Sequence, residues 1–200
     1  MKIGFIGAGV VAQSIARSAL LAGHDVMLSS RRGPEALKAL TSGLGERAWA
    51  VTLDEAAAQD VVILAVPWRQ VEASLSGLPM WHGRILVDAT NHFIQVSPTA
   101  LLADLGGVGA SDIVAGFAPG ARVVKAFNSI RMSDYNKGPR VGQARRMLFI
   151  SGDYPAANSR VRALIETFGF AVIDLGVLAA GGVFQQAGGP VAGREILLAD

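Results

Sequence analysis

Gly7-Ala8-Gly9-Val10-Val11-Ala12 places small residues in the G-x-G-x-x-G/A order. That order suits one task, bringing backbone amides close to a pyrophosphate. Gly7 permits a tight turn, Gly9 removes the Cβ that would bar a phosphate, and Ala12 lets a helix pack closely on the strand before it. The amides and positive dipole end of that helix then face the phosphates. In a chain with 24 glycines among 200 residues the motif alone is weak, because an ordinary strand–helix turn uses the same residues. Its surroundings strengthen it. Lys2 to Ile6 reads as a strand before the turn, and Ile15, Ala16, Ala19, Leu20 and Gly23 recur after it at helical spacing.

The next chemistry-bearing cluster follows a second strand pattern, Val26 to Leu28. An NAD site places Asp or Glu at the end of that strand to hold the ribose 2′-hydroxyl. Here the chain reads Ser29-Ser30-Arg31-Arg32, with no carboxylate. A guanidinium pairs with a 2′-phosphate and stacks on adenine, and Ser30 can donate to the same phosphate. The cluster therefore predicts NADP(H) rather than NAD(H), against the bland alternative of a solvated basic turn. Further on, Val66-Pro67-Trp68 ends the most apolar strand pattern, and Asn91 and Asn128 follow two later strand ends. Ligands of open α/β sheets bind at such carboxyl ends. Either asparagine alone is as well explained as a turn former. Trp68 could equally wall a cofactor or cover a helix.

Acids and bases near these strand ends are few. Asp88, His92 and Lys125 are the candidates, Lys125 inside an apolar strand where it could snorkel or pair, and His92 in a loop. No Ser–His–Asp order belongs to a nucleophile elbow. No catalytic residue is assigned, and hydride transfer needs none, since the cofactor carries the chemistry.

The elements that position these groups alternate. Strand, helix and strand fill the first thirty residues, the size of a βαβ unit. Pro34 opens a helix; a strand over 48–51 and a helix over 53–59 follow. Residues 60–66 are apolar throughout, as in a parallel strand covered on both faces. Strands over 84–88, 121–126, 147–150 and 170–173 and helices over 111–117 and 155–168 complete the pattern, while 132–145 reads as a long polar loop and the Gly-rich stretch from Gly176 resists assignment. The expectation is an α/β fold, a Rossmann-type doubly wound, mostly parallel sheet with a small carboxyl-terminal extension. Residues 1–128 would form the dinucleotide-binding domain, and 129–200 a smaller portion packed on or extending the same sheet.

Composition narrows the function. Hydrophobic residues make up 51% and charged residues 17%, which excludes a disordered chain. A net charge of +2 predicts no broad nucleic-acid surface. Cysteine is absent, which removes disulfides and thiolate metal sites, and three scattered histidines suggest no metal site. The amino terminus lacks a signal-peptide pattern, and the apolar stretch 170–184 is too short to span a bilayer and is broken by Asp174, so a cytoplasmic protein off the membrane is expected.

With these residues in place, the chain resembles the coenzyme F420-dependent NADP oxidoreductase-like family, and is similar to the NADPH-binding domain of transmembrane metalloreductases. The resemblance rests on the glycine turn from Gly7, "SRR" at Ser30 to Arg32, "VPW" at Val66 to Trp68, "DATN" ending at Asn91 and "VVKAFN" ending at Asn128. Gly152-Asp153 and "FGFAVIDLG" from Phe168 also fit. It implies a Rossmann fold and hydride transfer between NADP(H) and a second carrier, with F420, a flavin or a small organic acceptor left open. By motif position it carries Ala8 to Val11 to the pyrophosphate, Ser30 and Arg31 to the 2′-phosphate, Val66-Pro67 to the cofactor wall, and Asn91 and Ala126 to the nicotinamide half. Arg32 and Trp68 join these as candidate cofactor contacts. The loop 131–143 and the Gly-rich tail are expected to cover the acceptor. Related proteins pair through their carboxyl-terminal portion, which predicts a homodimer. A non-catalytic NADP(H) sensor is the rival reading. The dinucleotide-binding half of a pyrroline-carboxylate-reductase type enzyme is a third, weakened by the missing all-helical carboxyl-terminal domain.

Overall fold

The computed structural model describes residues 1–199. Its frame is a run of parallel strands joined by helices. In chain order come β1 (Lys2–Ile6), α1 (Val10–Leu21), β2 (Asp25–Ser29), α2 (Lys38–Leu44), β3 (Ala48–Ala50), α3 (Leu53–Ala57), β4 (Val61–Leu64), α4 (Val71–Leu75) and β5 (Ile85–Asp88). Then follow β6 (Phe93–Gln95), β7 (Leu101–Leu102), α5 (Ala110–Phe117), β8 (Arg122–Ala126), α6 (Met132–Tyr135), β9 (Arg140–Val141) and β10 (Ala144–Gly152). The last elements are α7 (Pro155–Thr167), β11 (Ala171–Asp174), α8 (Val183–Gln185) and β12 (Leu197–Leu198).

The main sheet has the order β11-β10-β8-β5-β4-β1-β2-β3. From β3 to β8 every neighbour is parallel, so the carboxyl ends of β1, β2, β4, β5 and β8 share one edge. β10 runs antiparallel to β8, and β11 runs parallel to β10. The fold is therefore Rossmann-type, doubly wound and mostly parallel. All four residues of β4 are buried, as continuous apolarity requires of a strand covered on both faces. One face packs Phe5, Ile63 and Val87 against Ile15 and Ala19 of α1 and Val161 and Ile165 of α7. The other packs Val62, Leu64 and Leu86 against Val71, Leu75 and Val114 of α4 and α5.

Three stretches depart from the sequence reading. Residues 132–145 are not an open loop: they contain α6 and the β9 arm of a hairpin with β10. The cause is one aromatic residue in a polar stretch. Tyr135 is fully buried, stacks on Phe170 at 4.8 Å and 13°, and donates its hydroxyl to Ser18 of α1 at 2.9 Å. This anchor fixes α6 against α1, so α6 does not lie over the strand tips as the acceptor-covering role required. The strand expected over 147–150 extends to 144–152, because its first half pairs with β9 and β12 and its second half with β8. Residues 93–102, for which the sequence pattern suggests no element, form the β6–β7 hairpin.

Candidate functional site

β1 ends where its chain must turn sharply. Gly7 sits at φ +113°, and a side chain there would strike the carbonyl of Ala65 on the next strand. Its N–H donates to Ser29 O at 3.1 Å, and Ser29 Oγ donates back to Phe5 O at 2.7 Å, locking the ends of β1 and β2 together. Gly9 differs: its backbone is extended, and a Cβ there would meet nothing within 4 Å. No internal packing calls for glycine at this position. α1 starts at once after it, with no side-chain cap and no acidic residue in its first turn. Val10 and Val11 form that first turn, and their amides face out of the helix end.

A cavity of about 400 Å³ opens here, between Gly7, Ala8 and Gly9 on one side and Ser30, Arg31 and Arg32 on another. Val66 and Pro67 close a third side. The structure thus brings together the glycine turn, the serine–arginine turn and the β4 end. The arginines are exposed, and among the described residues neither has an ion-pair partner. The nearby Glu35 is held by Lys38 at 2.8 Å. Arg32 N donates to Ser30 Oγ at 3.3 Å, which shapes the turn. Two wall residues carried no signal in the sequence. Gln70 lines the cavity, and so does Ser74, whose buried hydroxyl has no hydrogen-bond partner among the described residues.

Trp68, Asn91 and Ala126 do not line this cavity. Asn91 and Asn128 do meet: Asn91 Nδ2 donates to Asn128 O at 2.9 Å, and Asn128 Nδ2 donates to Asn91 Oδ1 at 3.2 Å. Both also hold the Gly-rich tail. Ala187 N donates to Asn91 Oδ1 at 3.1 Å, and Asn128 Nδ2 donates to Gln185 O at 2.8 Å. The tail thus reaches the strand tips. Ala126 is wholly buried, and Phe127 beyond it takes a left-handed φ of +62°, which turns the chain toward Asn91. Trp68 is half-buried and meets His92 edge-on, with centroids 6.2 Å apart.

Beneath these asparagines lies a closed ionic network. Lys125 Nζ donates to Asp88 Oδ2 at 3.1 Å and to Thr90 O at 3.2 Å. Ser111 Oγ donates to Asp88 Oδ2 at 2.6 Å, and Thr90 N and Oγ1 donate to Asp88 Oδ1 at 2.9 and 2.7 Å. Both charged side chains are fully buried, so Lys125 pairs and does not snorkel. Burial opposes the Asp88 charge, but Lys125 and the hydroxyl and amide donors outweigh it and hold the carboxyl below its ordinary range. Burial, reinforced by the charge of Lys125, lowers the pKa of His92, which keeps the imidazole neutral near pH 7. Asp88 and Lys125 are therefore spent on each other and hold the Thr90–Asn91 turn in place.

Residues 2–92 match the family described as NADP oxidoreductase, coenzyme F420-dependent. The chain is 32% identical over 181 residues to metalloreductase STEAP3 of Rattus norvegicus, covering 90% of this chain and 34% of that one, so it spans about a third of the length of this curated relative. A solved hypothetical protein from Sinorhizobium meliloti, SMa0349, superposes with a TM-score of 0.91 at 38% identity, covering 99% of this chain and 96% of that one. A protein from Arthrobacter sp. FB24 described as an F420-dependent NADP-reductase superposes with a TM-score of 0.69 at 24% identity over 89% and 86% of the two chains, a likeness of fold. Among the described residues no helix is long and apolar enough to cross a membrane.

Proposed function

We propose that the protein, whose residues 2–92 match the family described as NADP oxidoreductase, coenzyme F420-dependent, binds NADP(H) and transfers a hydride between it and a second redox carrier. One observation carries the reading: a single cavity joins the glycine turn to two exposed arginines that have no ion-pair partner among the described residues. The residues fit the nucleotide. The empty space where a Gly9 Cβ would stand leaves room for a pyrophosphate, and the uncapped end of α1 supplies donors to it. Ser30, Arg31 and Arg32 take the 2′-phosphate, and Val66 and Pro67 wall the adenosine side. The unpartnered Ser74 hydroxyl offers one more hydrogen bond inside the same cavity. When bound, NADP(H) supplies the hydride. Asn91, with Ala126 behind it, bounds the place expected for the nicotinamide, and Trp68 flanks it.

The tail bonded to Asn91 and Asn128 must then lie beside the nicotinamide. It must also shift or re-pair for a planar acceptor such as F420 or a flavin to stack there. The rival, an NADP(H) sensor without turnover, draws on the burial of Asp88 and Lys125, which leaves neither free to move a proton. NADPH oxidation measured against F420, free flavins and ferric chelates separates the two. Turnover with at least one acceptor is expected; tight NADPH binding with no oxidation across the panel would establish the sensor.

We also read the carboxyl-terminal surface as the contact of a homodimer. Residues 89–103 and 175–193 contain no Asp, Glu, Lys or Arg. They lie together, Leu102 against Gly188, and they leave Leu101, Leu102, Val183 and Phe184 partly exposed. Interfaces lose charge and gain apolar area in this way. Light scattering at micromolar concentration should give about twice 20.8 kDa, and Phe184→Glu should return it to the monomer mass. A wild-type mass near 20.8 kDa rejects the pairing.

A further inference from the structure

α1 presents a second face that the nucleotide reading does not use. Ser14, Arg17, Ser18 and Leu21 fall at i, i+3, i+4 and i+7, one stripe of the helix. All four line a cavity of about 320 Å³ beside α6 and the start of β11. That volume lies at the lower end of small-molecule pockets, roughly 300–1,000 Å³. Its other walls include Tyr135, Phe168 and Phe170, all buried, with Tyr135 and Phe170 stacked on each other.

The polar groups around this aromatic wall point to a ligand of one charge. Ser14 is 98% buried by its 2% exposure, and its Oγ has no hydrogen-bond partner among the described residues. Arg17 lines the same cavity and has no ion-pair partner among the described residues. No acidic residue lines the cavity. Burial pushes the Tyr135 hydroxyl far above its ordinary pKa, so it stays neutral and donates to Ser18 Oγ at 2.9 Å. An unpaired cation, an unsatisfied hydroxyl and a wall of rings match a small molecule with a planar apolar body and a carboxylate head. A bare phosphate would use only the polar groups of the cavity and none of its apolar wall, and a neutral ring would leave Arg17 unmatched.

We propose that this cavity is a second small-molecule site and that it takes small aromatic carboxylates. The guanidinium of Arg17 meets the carboxylate, the Ser14 hydroxyl donates to it, and the body lies against Phe168 and Phe170. The proposal stands apart from the nucleotide reading, since the cavity lies along the body of α1 and shares no lining residue with the cleft at Gly9.

Phenylacetate titrated into isotope-labelled protein without nucleotide tests it. Saturable amide shifts are expected at Ser14, Arg17, Ser18 and Phe170, with an affinity near 1 mM. Arg17→Ala should weaken binding about tenfold, and phenylacetamide, which lacks the charge, should bind wild-type protein about tenfold more weakly than phenylacetate. Ser14→Val, similar in volume but without the hydroxyl, should weaken phenylacetate severalfold while leaving the rest of the spectrum folded. No saturable shift at about 10 mM probe, shifts confined to another surface, or equal binding by both variants and the wild type would each overturn it.

Discussion

Replacing Lys125 by Met is expected to cost the folded state about 3–5 kcal/mol, the usual loss when one half of a buried ion pair is removed. The reason is what stays behind. Asp88 remains fully buried with its Ser111 and Thr90 donors but without its cation. The Thr90 carbonyl also loses the ammonium that fixes the turn leading to Asn91. Urea unfolding measures the loss. The double variant Asp88→Asn with Lys125→Met should lose less than the single Lys125→Met change, because no bare charge is left inside. A loss below about 1 kcal/mol for the single variant would show that the pair carries little. Proton linkage gives an independent check. A carboxyl whose folded pKa is depressed stabilises the protein above its unfolded pKa, and that contribution is lost as pH falls through the folded value. Asp88 is such a group, so wild-type stability should fall in acid below the ordinary carboxylate range, and the Asp88→Asn background should lose this part of the fall.

How much of this was legible in the sequence depends on the range of the interactions involved. β1, β4 and the glycine turn could be read because their signals are local: an unbroken apolar run, then residues that a tight turn demands. The serine–arginine turn was legible for the same reason, since its place is fixed by the strand before it. α6 and the β9–β10 hairpin were not. They depend on Tyr135 meeting Phe170, thirty-five positions apart, and on Arg146 binding the carbonyls of Gly138 and Arg140. No window of a dozen residues contains the Tyr135–Phe170 contact, and the Arg146 bonds, though only eight and six residues long, follow no residue pattern that marks a hairpin. The asparagines show the same limit in the site. Their positions at strand ends were readable, but the two side chains join each other and the tail through partners 37 and 96 residues away. Ser74 gave no signal at all, because an unpartnered hydroxyl is a property of the cavity around it.

Removing Arg31 is expected to erase the discrimination between NADPH and NADH. The wild-type protein should bind NADPH about ten- to a hundredfold more tightly, which corresponds to about 1.4–2.8 kcal/mol and is the size of one or two hydrogen bonds to a charged group. The two nucleotides differ only by the 2′-phosphate, so the ratio isolates the contacts at the end of β2. Arg31 and Arg32 are exposed there, Ser30 is turned toward Arg32 N, and Glu35 is occupied by Lys38. Nothing acidic in that turn competes with the phosphate for the guanidinium groups. Isothermal titration with both nucleotides, on wild type and on Arg31→Ala, gives four affinities. NADPH should weaken by the full factor, while NADH changes by less than about threefold, because its 2′-hydroxyl makes no use of a guanidinium. Arg31→Lys should recover only part of the preference, since an ammonium keeps the charge but loses the flat two-pronged donor face that also covers the adenine. Raising the salt concentration should compress the wild-type ratio, because the contact is exposed and screened. Equal affinity of the wild-type protein for the two nucleotides would remove the 2′-phosphate role from this turn, while leaving the pyrophosphate role of Gly7 to Val11 to be judged on NADH alone.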